Sequence, residues 1–111
     1  MVLTPTRLII GAGMLMVALG TTAAAEELLG DPIAGRMLAH DVCATCHVVE
    51  PGLEPRSDID APAFPDLAKQ PGITALSLRV FLQTPHERMP DLRLSPDETD
   101  NVIAHILSLD R

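Results

Sequence analysis

The pentapeptide Cys43-Ala44-Thr45-Cys46-His47 constrains this chain of 111 residues more than any other feature in it. Two thiols three positions apart, followed at once by an imidazole, form C-x-x-C-H, and few folds have a use for all three side chains. A redox-active C-x-x-C pair belongs at the start of a helix in a thioredoxin-like βαβ unit, and the chain offers no convincing strand. A zinc site needs four ligands, which means adding His40, His86 or His105 to Cys43, Cys46 and His47 at spacings unlike those of zinc fingers. A disulfide between Cys43 and Cys46 is sterically awkward and leaves His47 without a role. The reading that uses all three is covalent attachment of one haem c. Each thiol adds to one vinyl group, and His47 then stands where it can ligate the iron.

The chain is long enough for one small domain, which argues against a large catalytic scaffold with its own substrate pocket. It has no Trp and no Tyr, so Phe64 and Phe81 supply all its aromatic surface. That is little for a domain of roughly 85 residues, and a bound cofactor is the natural filler of its core. The net charge is -7, without a cluster of Lys and Arg, so nucleic acid is set aside as a partner. Arg36, Arg56, Arg79, Arg88, Arg93 and Arg111 interleave the acids, and the acidity argues for solubility rather than for a particular partner.

Residues Leu8 to Leu19 are almost wholly apolar, follow Arg7, and are followed by Thr21, Thr22, Ala23, Ala24 and Ala25. This is the order of a secretory signal, and the A-x-A pattern predicts cleavage after Ala25. Residues 1–25 are then a cleaved signal peptide and 26–111 the mature domain, one unit more acidic for the loss of Arg7. A retained membrane anchor is the alternative, but a span takes about 20 apolar residues, and Gly11, Gly13 and Gly20 interrupt this shorter run. No stable membrane insertion is expected after cleavage. Exported thiols ordinarily oxidise. Covalent haem attachment, which takes place outside the bacterial cytoplasm, is their other fate.

Asp31-Pro32 predicts a helix start, with Asp as cap and Pro at the first helical position, and the helix is expected to reach about Val42. Its apolar face carries Gly35, Leu38, Ala39 and Val42, widened by Ile33 and Met37. From Val48 to Pro65 four prolines and Gly52 break any periodicity. A loop of that length in a small domain is expected to wrap around something or to be functional. A short turn is expected at Pro65 to Lys69. A clearer helix follows Thr74 to about Gln83, with Leu78, Phe81 and Leu82 on its buried side. The last helix opens at Ser95-Pro96-Asp97-Glu98 as a capping box and runs to about Leu109, with Val102, Ile103, Ile106 and Leu107 inward. The fold class is therefore all-α.

An iron held by His47 needs a second axial ligand. Met1, Met14 and Met16 leave with the signal, and Met37, on the helix that leads into the motif, is expected to pack in the core. Met89-Pro90 remains, in the loop Thr84 to Pro90, where flanking prolines stiffen a non-helical segment that can aim the sulfur. Methionine with histidine raises the haem potential and suits electron transfer. His86 is the competing ligand, while His40 and His105 sit on helices as structural or solvated groups.

Taken together these residues resemble the small class I cytochrome c family, and closely its single-haem bacterial periplasmic members. The matching positions are Gly35 and Leu38-Ala39, Cys43 to His47, Ala61-Pro62, Phe81, Met89-Pro90 and Val102 to Leu107, which cover essentially the whole mature chain. The resemblance implies the class I fold, three to four main helices and a long loop around one haem. It implies that the first and last helices cross near Gly35, and that His105 stands where the family commonly has an aromatic ring. It further implies that a loop proline carbonyl accepts the second ring proton of His47. Pro62 is the candidate, with Pro51 and Pro55 as alternatives, and Phe81 belongs to the haem pocket. Family members often hold the haem propionates with Trp or Tyr. Arg56, Lys69, Arg79 or Arg93 are the substitutes available here.

The expected function is that of a periplasmic electron carrier, not an enzyme, with His47 and Met89 on the iron and transient redox partners such as a dehydrogenase, an oxidase or another cytochrome. The alternatives are a haem sensor or ligand-binding cytochrome, and a dedicated cytochrome subunit of a dehydrogenase or oxidase.

Overall fold

Asp31 caps the first helix as its sequence predicts: one carboxylate oxygen accepts from the amides of Ile33 at 2.8 Å and Ala34 at 3.3 Å. The computed structural model describes residues 30–86 and 88–111. The expected signal peptide, residues 1–25, and Glu87 lie outside the described residues. Helix α1 spans Pro32–Asp41, α2 Phe64–Ala68, α3 Ala75–Gln83 and α4 Pro96–Ser108, with a 3-10 turn at Cys43–Thr45 after α1. No strand occurs among the described residues, and the all-α expectation holds.

Two reciprocal caps start the later helices. Thr74 accepts from the Ser77 amide at 3.1 Å while the Ser77 hydroxyl accepts from the Thr74 amide at 2.8 Å. Ser95 and Glu98 do the same for α4, at 3.2 and 2.7 Å. The short α2 begins one residue before the expected turn, at Phe64.

Helix α4 is the hub and packs against α1, α2 and α3, with its largest contact on α1. That crossing is tight because two glycines face α4: a Cβ on Gly30 would stand 2.1 Å from the Asp100 carbonyl oxygen, and one on Gly35 would stand 1.8 Å from that of Asn101. The Asp31 amide donates to Asn101 Oδ1 at 2.7 Å, so the cap and the crossing lock together. On the far side Arg79 of α3 pairs with Asp100 of α4.

Val49 and Val102 are fully buried at the centre, with Ala39, Cys43, Phe64, Leu78, Ile103 and Ile106 around them. Two expectations need correction. Met37 does not pack in the core but is 65% exposed, and Ile33 is 70% exposed. Both lie two residues from a buried Gly35 or Ala39, about 200° around a helix with 3.6 residues per turn, and so on its opposite face. Phe81 is not on the buried side of α3 with Leu78 but 56% exposed, and its ring borders the cleft described below.

Candidate functional site

The cysteines sit where α1 ends. The Cys43 carbonyl accepts from the amides of Cys46 at 3.1 Å and His47 at 2.8 Å, which curls the motif into a turn and carries the His47 ring away from the α1 axis. Cys43 is part of the core, and Cys46 is half-buried. Burial pushes the Cys43 thiol up to about 11, so this position favours a neutral sulfur.

His47 faces a cleft of about 350 Å³. Ile59, Leu67, Ile73, Leu78, Leu82 and Ile106 give it an apolar lining drawn from the long loop, α2, α3 and α4. Pro62, Phe81 and Met89 line the same cleft. The fold thus brings together His47, Pro62, Phe81 and Met89 from four separate stretches of chain. Cys43 and Cys46 do not line the cleft themselves; they lie on the turn that delivers His47 to it. The long loop reaches the cleft through residues 59–62.

His47 Nδ1 lies 2.7 Å from the Pro62 carbonyl oxygen. A carbonyl can only accept, so Nδ1 carries the proton, and in the neutral ring Nε2 keeps its lone pair. Phe64 packs on the same ring, with centroids 5.2 Å apart and planes tilted by 42°. His86 also borders the cleft; its Nδ1 donates to the Thr84 carbonyl at 2.9 Å, and its ring meets Phe81 edge-on with centroids 6.4 Å apart.

The segment that leaves the motif is held from both sides. Val49 points inward, and its carbonyl meets Nε2 of His105 at 3.0 Å. Glu50 points outward to α1, pairs with Arg36, and lies 3.1 Å from His40 Nε2. Hydrogen bonding from Arg36 holds the Glu50 carboxyl below its ordinary value, with His40 adding to the effect and partial burial opposing it.

Sequence reasoning missed two residues here. Phe64, taken only as aromatic surface, is 5% exposed and buttresses His47. Arg88 is the one Lys or Arg among the described residues that borders the cleft, in a left-handed conformation with φ of 67°, whereas Arg79, one of the four propionate candidates, is engaged by Asp100. The adjacency of Arg88 to Met89 was the signal available. His105, which the resemblance sets in the place of an aromatic ring, is buried at 3% exposure; its partner, the Val49 carbonyl 56 positions away, is what the sequence did not show.

Over 97 residues the chain is 34% identical to Cytochrome c-552 of Bradyrhizobium diazoefficiens, a match that covers 87% of this chain and 92% of that protein. The chain belongs to the small c-type cytochromes. No protein-family model matches it, and no solved structure does. Its helical architecture is the class I cytochrome c fold.

The residues of this cytochrome suit a haem. The cleft is apolar, as a macrocycle requires, and imidazole and thioether groups both border it. The buried Cys43 suits a thioether, which is uncharged at every pH. Among the described residues no three His, Cys, Asp or Glu side chains gather as a metal-binding group, so the zinc set assembled from the sequence has no geometry behind it. Nor is any helix among the described residues long and apolar enough to cross a membrane.

Proposed function

We propose that this cytochrome is an exported carrier of single electrons, with one haem c joined covalently to Cys43 and Cys46 and with His47 and Met89 as the axial ligands of its iron. The observation that carries the reading is that His47 and Met89, far apart in sequence, border one apolar cleft beside the C-x-x-C-H turn. When bound, the haem supplies a one-electron couple between ferric and ferrous iron.

The protein's residues do the rest. The two cysteines tether the group. The Pro62 carbonyl orients His47 and makes its Nε2 a stronger donor. Met89 offers a soft sulfur that favours the reduced iron and raises the potential. Phe81 and the aliphatic lining keep water from the macrocycle, which lowers the polarity around the iron. The role is that of a carrier rather than an enzyme, because each group assigned on this cleft serves to bind or tune the cofactor. Residues 1–25 act as the signal peptide and 26–111 as the cytochrome domain, which works in the periplasm. Its partners are a dehydrogenase, an oxidase or another cytochrome, docked transiently through a small interface.

His86 borders the same cleft and favours a second reading, with imidazole on both sides of the iron. A further alternative is a sensor in which the Met89 side stays open to small ligands.

Expression with a competent maturation system tests the proposal. The expected product begins at Glu26, retains haem on a denaturing gel, and shows a low-spin reduced spectrum with a weak far-red sulfur-to-iron band when oxidised. A colourless folded protein sinks the haem reading. A missing far-red band transfers the second ligand to His86, and rapid carbon monoxide binding to the reduced protein favours the sensor.

A further inference from the structure

His105 is a buried titratable side chain that the reading above leaves without a task. Its ring reaches from α4 into the neck of the long loop, where the segment 47–49 runs beside 62–64. Two bonds cross this neck. His47 Nδ1 donates to the Pro62 carbonyl at 2.7 Å, and the Phe64 amide donates to the Val48 carbonyl at 2.8 Å. The Val49 carbonyl, next in line, receives Nε2–H of His105 at 3.0 Å. The Phe64 ring packs against both imidazoles, with centroids 5.2 Å from His47 and 6.3 Å from His105.

Two successive carbonyls of the segment that leaves His47 are therefore held, one by the facing side of the neck and one by α4. Val49 is 0% exposed, so its carbonyl has no ready replacement donor in solvent if His105 is removed. Loss of that bond frees the peptide after Val49 to rotate. The Val48–Phe64 pairing and the Pro62 carbonyl then lose their register with His47.

From this arrangement we infer that His105 is a positioning residue for His47, which acts through the Val49 carbonyl and Phe64 to keep Pro62 aligned with Nδ1. The inference rests on the proposed role of His47 as a haem ligand. A stronger bond from Nδ1–H makes imidazole a stronger donor and favours ferric iron, so loosening it raises the reduction potential.

The test compares holoprotein of the wild type with His105→Phe, which keeps a ring but has no donor, and His105→Gln, whose amide can donate from about the place of Nε2. His105→Phe is expected to raise the potential and to speed solvent exchange of the His47 Nδ1 proton, followed by NMR, by roughly fivefold, the equivalent of one hydrogen bond. His105→Gln is expected to restore both to wild-type values. Should His105→Phe yield no holoprotein, His105→Met, also without a donor, takes its place. A donor-free variant that melts earlier yet keeps the wild-type potential and exchange rate overturns the inference, because a merely structural role moves stability alone. Failure of His105→Gln to rescue either readout overturns it as well. A wild type without haem instead overturns the reading beneath it.

Discussion

Gly35 lies directly against the Asn101 carbonyl: a Cβ on Gly35 would stand 1.8 Å from that oxygen and 2.9 Å from the Val102 amide nitrogen. Both neighbours are backbone, so no side-chain rotation relieves the overlap, and α1 and α4 would have to move apart. Gly35→Ala is expected to destabilise the fold by about 1–3 kcal/mol, even though Ala is the better helix former by about 1 kcal/mol. Guanidinium unfolding of the two proteins checks this, and equal midpoints would mean that the crossing is loose.

Glu50 gives a pH signature. Its carboxyl titrates below the ordinary 4.5, chiefly through its hydrogen bond from Arg36 and with help from His40. A depressed carboxylate contributes stability that is fully present above its unfolded value and is lost as the pH falls through its folded value. Wild type should therefore melt above Glu50→Gln at neutral pH, and the gap should close as melting is repeated below pH 4.5. A gap that stays constant into acid contradicts the pairing.

The reciprocal cap of α4 is testable by Ser95→Ala. The variant removes the acceptor for the Glu98 amide and is expected to cost about 1 kcal/mol. Hydrogen exchange should quicken first at the amides of Glu98 and Thr99, where the helix begins. Unchanged protection there would show that Ser95 contributes nothing.

Met89→Ala and His86→Ala separate the two candidate ligands. If Met89 binds the iron, Met89→Ala abolishes the far-red band of the oxidised protein and lowers the potential, while His86→Ala leaves the band in place. The reverse pattern in oxidised and reduced spectra assigns the ligand to His86.

Much of this cytochrome is legible in its sequence because the signals act over a few residues. Asp31, Thr74 and Ser95 mark helix starts through side chains that reach amides two or three positions on. Pro51, Pro55 and Pro62 break the stretch from Val48 to Ala63, and Pro65 is tolerated only because it stands in the first turn of α2. Cys43, Cys46 and His47 are recognisable by spacing alone, since the chemistry they point to depends on their separation along the backbone.

The periodicity of α1 is less informative. It presents Ile33 and Met37 as part of a broad apolar stripe, yet the buried line runs through Gly35 and Ala39, with Leu38 and Val42 packed beside it, and leaves Ile33 and Met37 exposed. Phe81 has the same helical phase as a core residue and borders the cleft instead.

The amino-acid sequence by itself determined the helix starts, the long irregular loop and the C-x-x-C-H turn, because each depends on bonds within a few residues. Only the tertiary structure decided that Arg79 meets Asp100, that Phe64 backs His47, and that His105 finds the carbonyl of Val49. Those partners lie 17 to 56 positions apart, and no local pattern selects among the many groups each could have met. They meet because α4 packs against α1, α2 and α3 at once, and the fit of those surfaces is a property of the assembled fold.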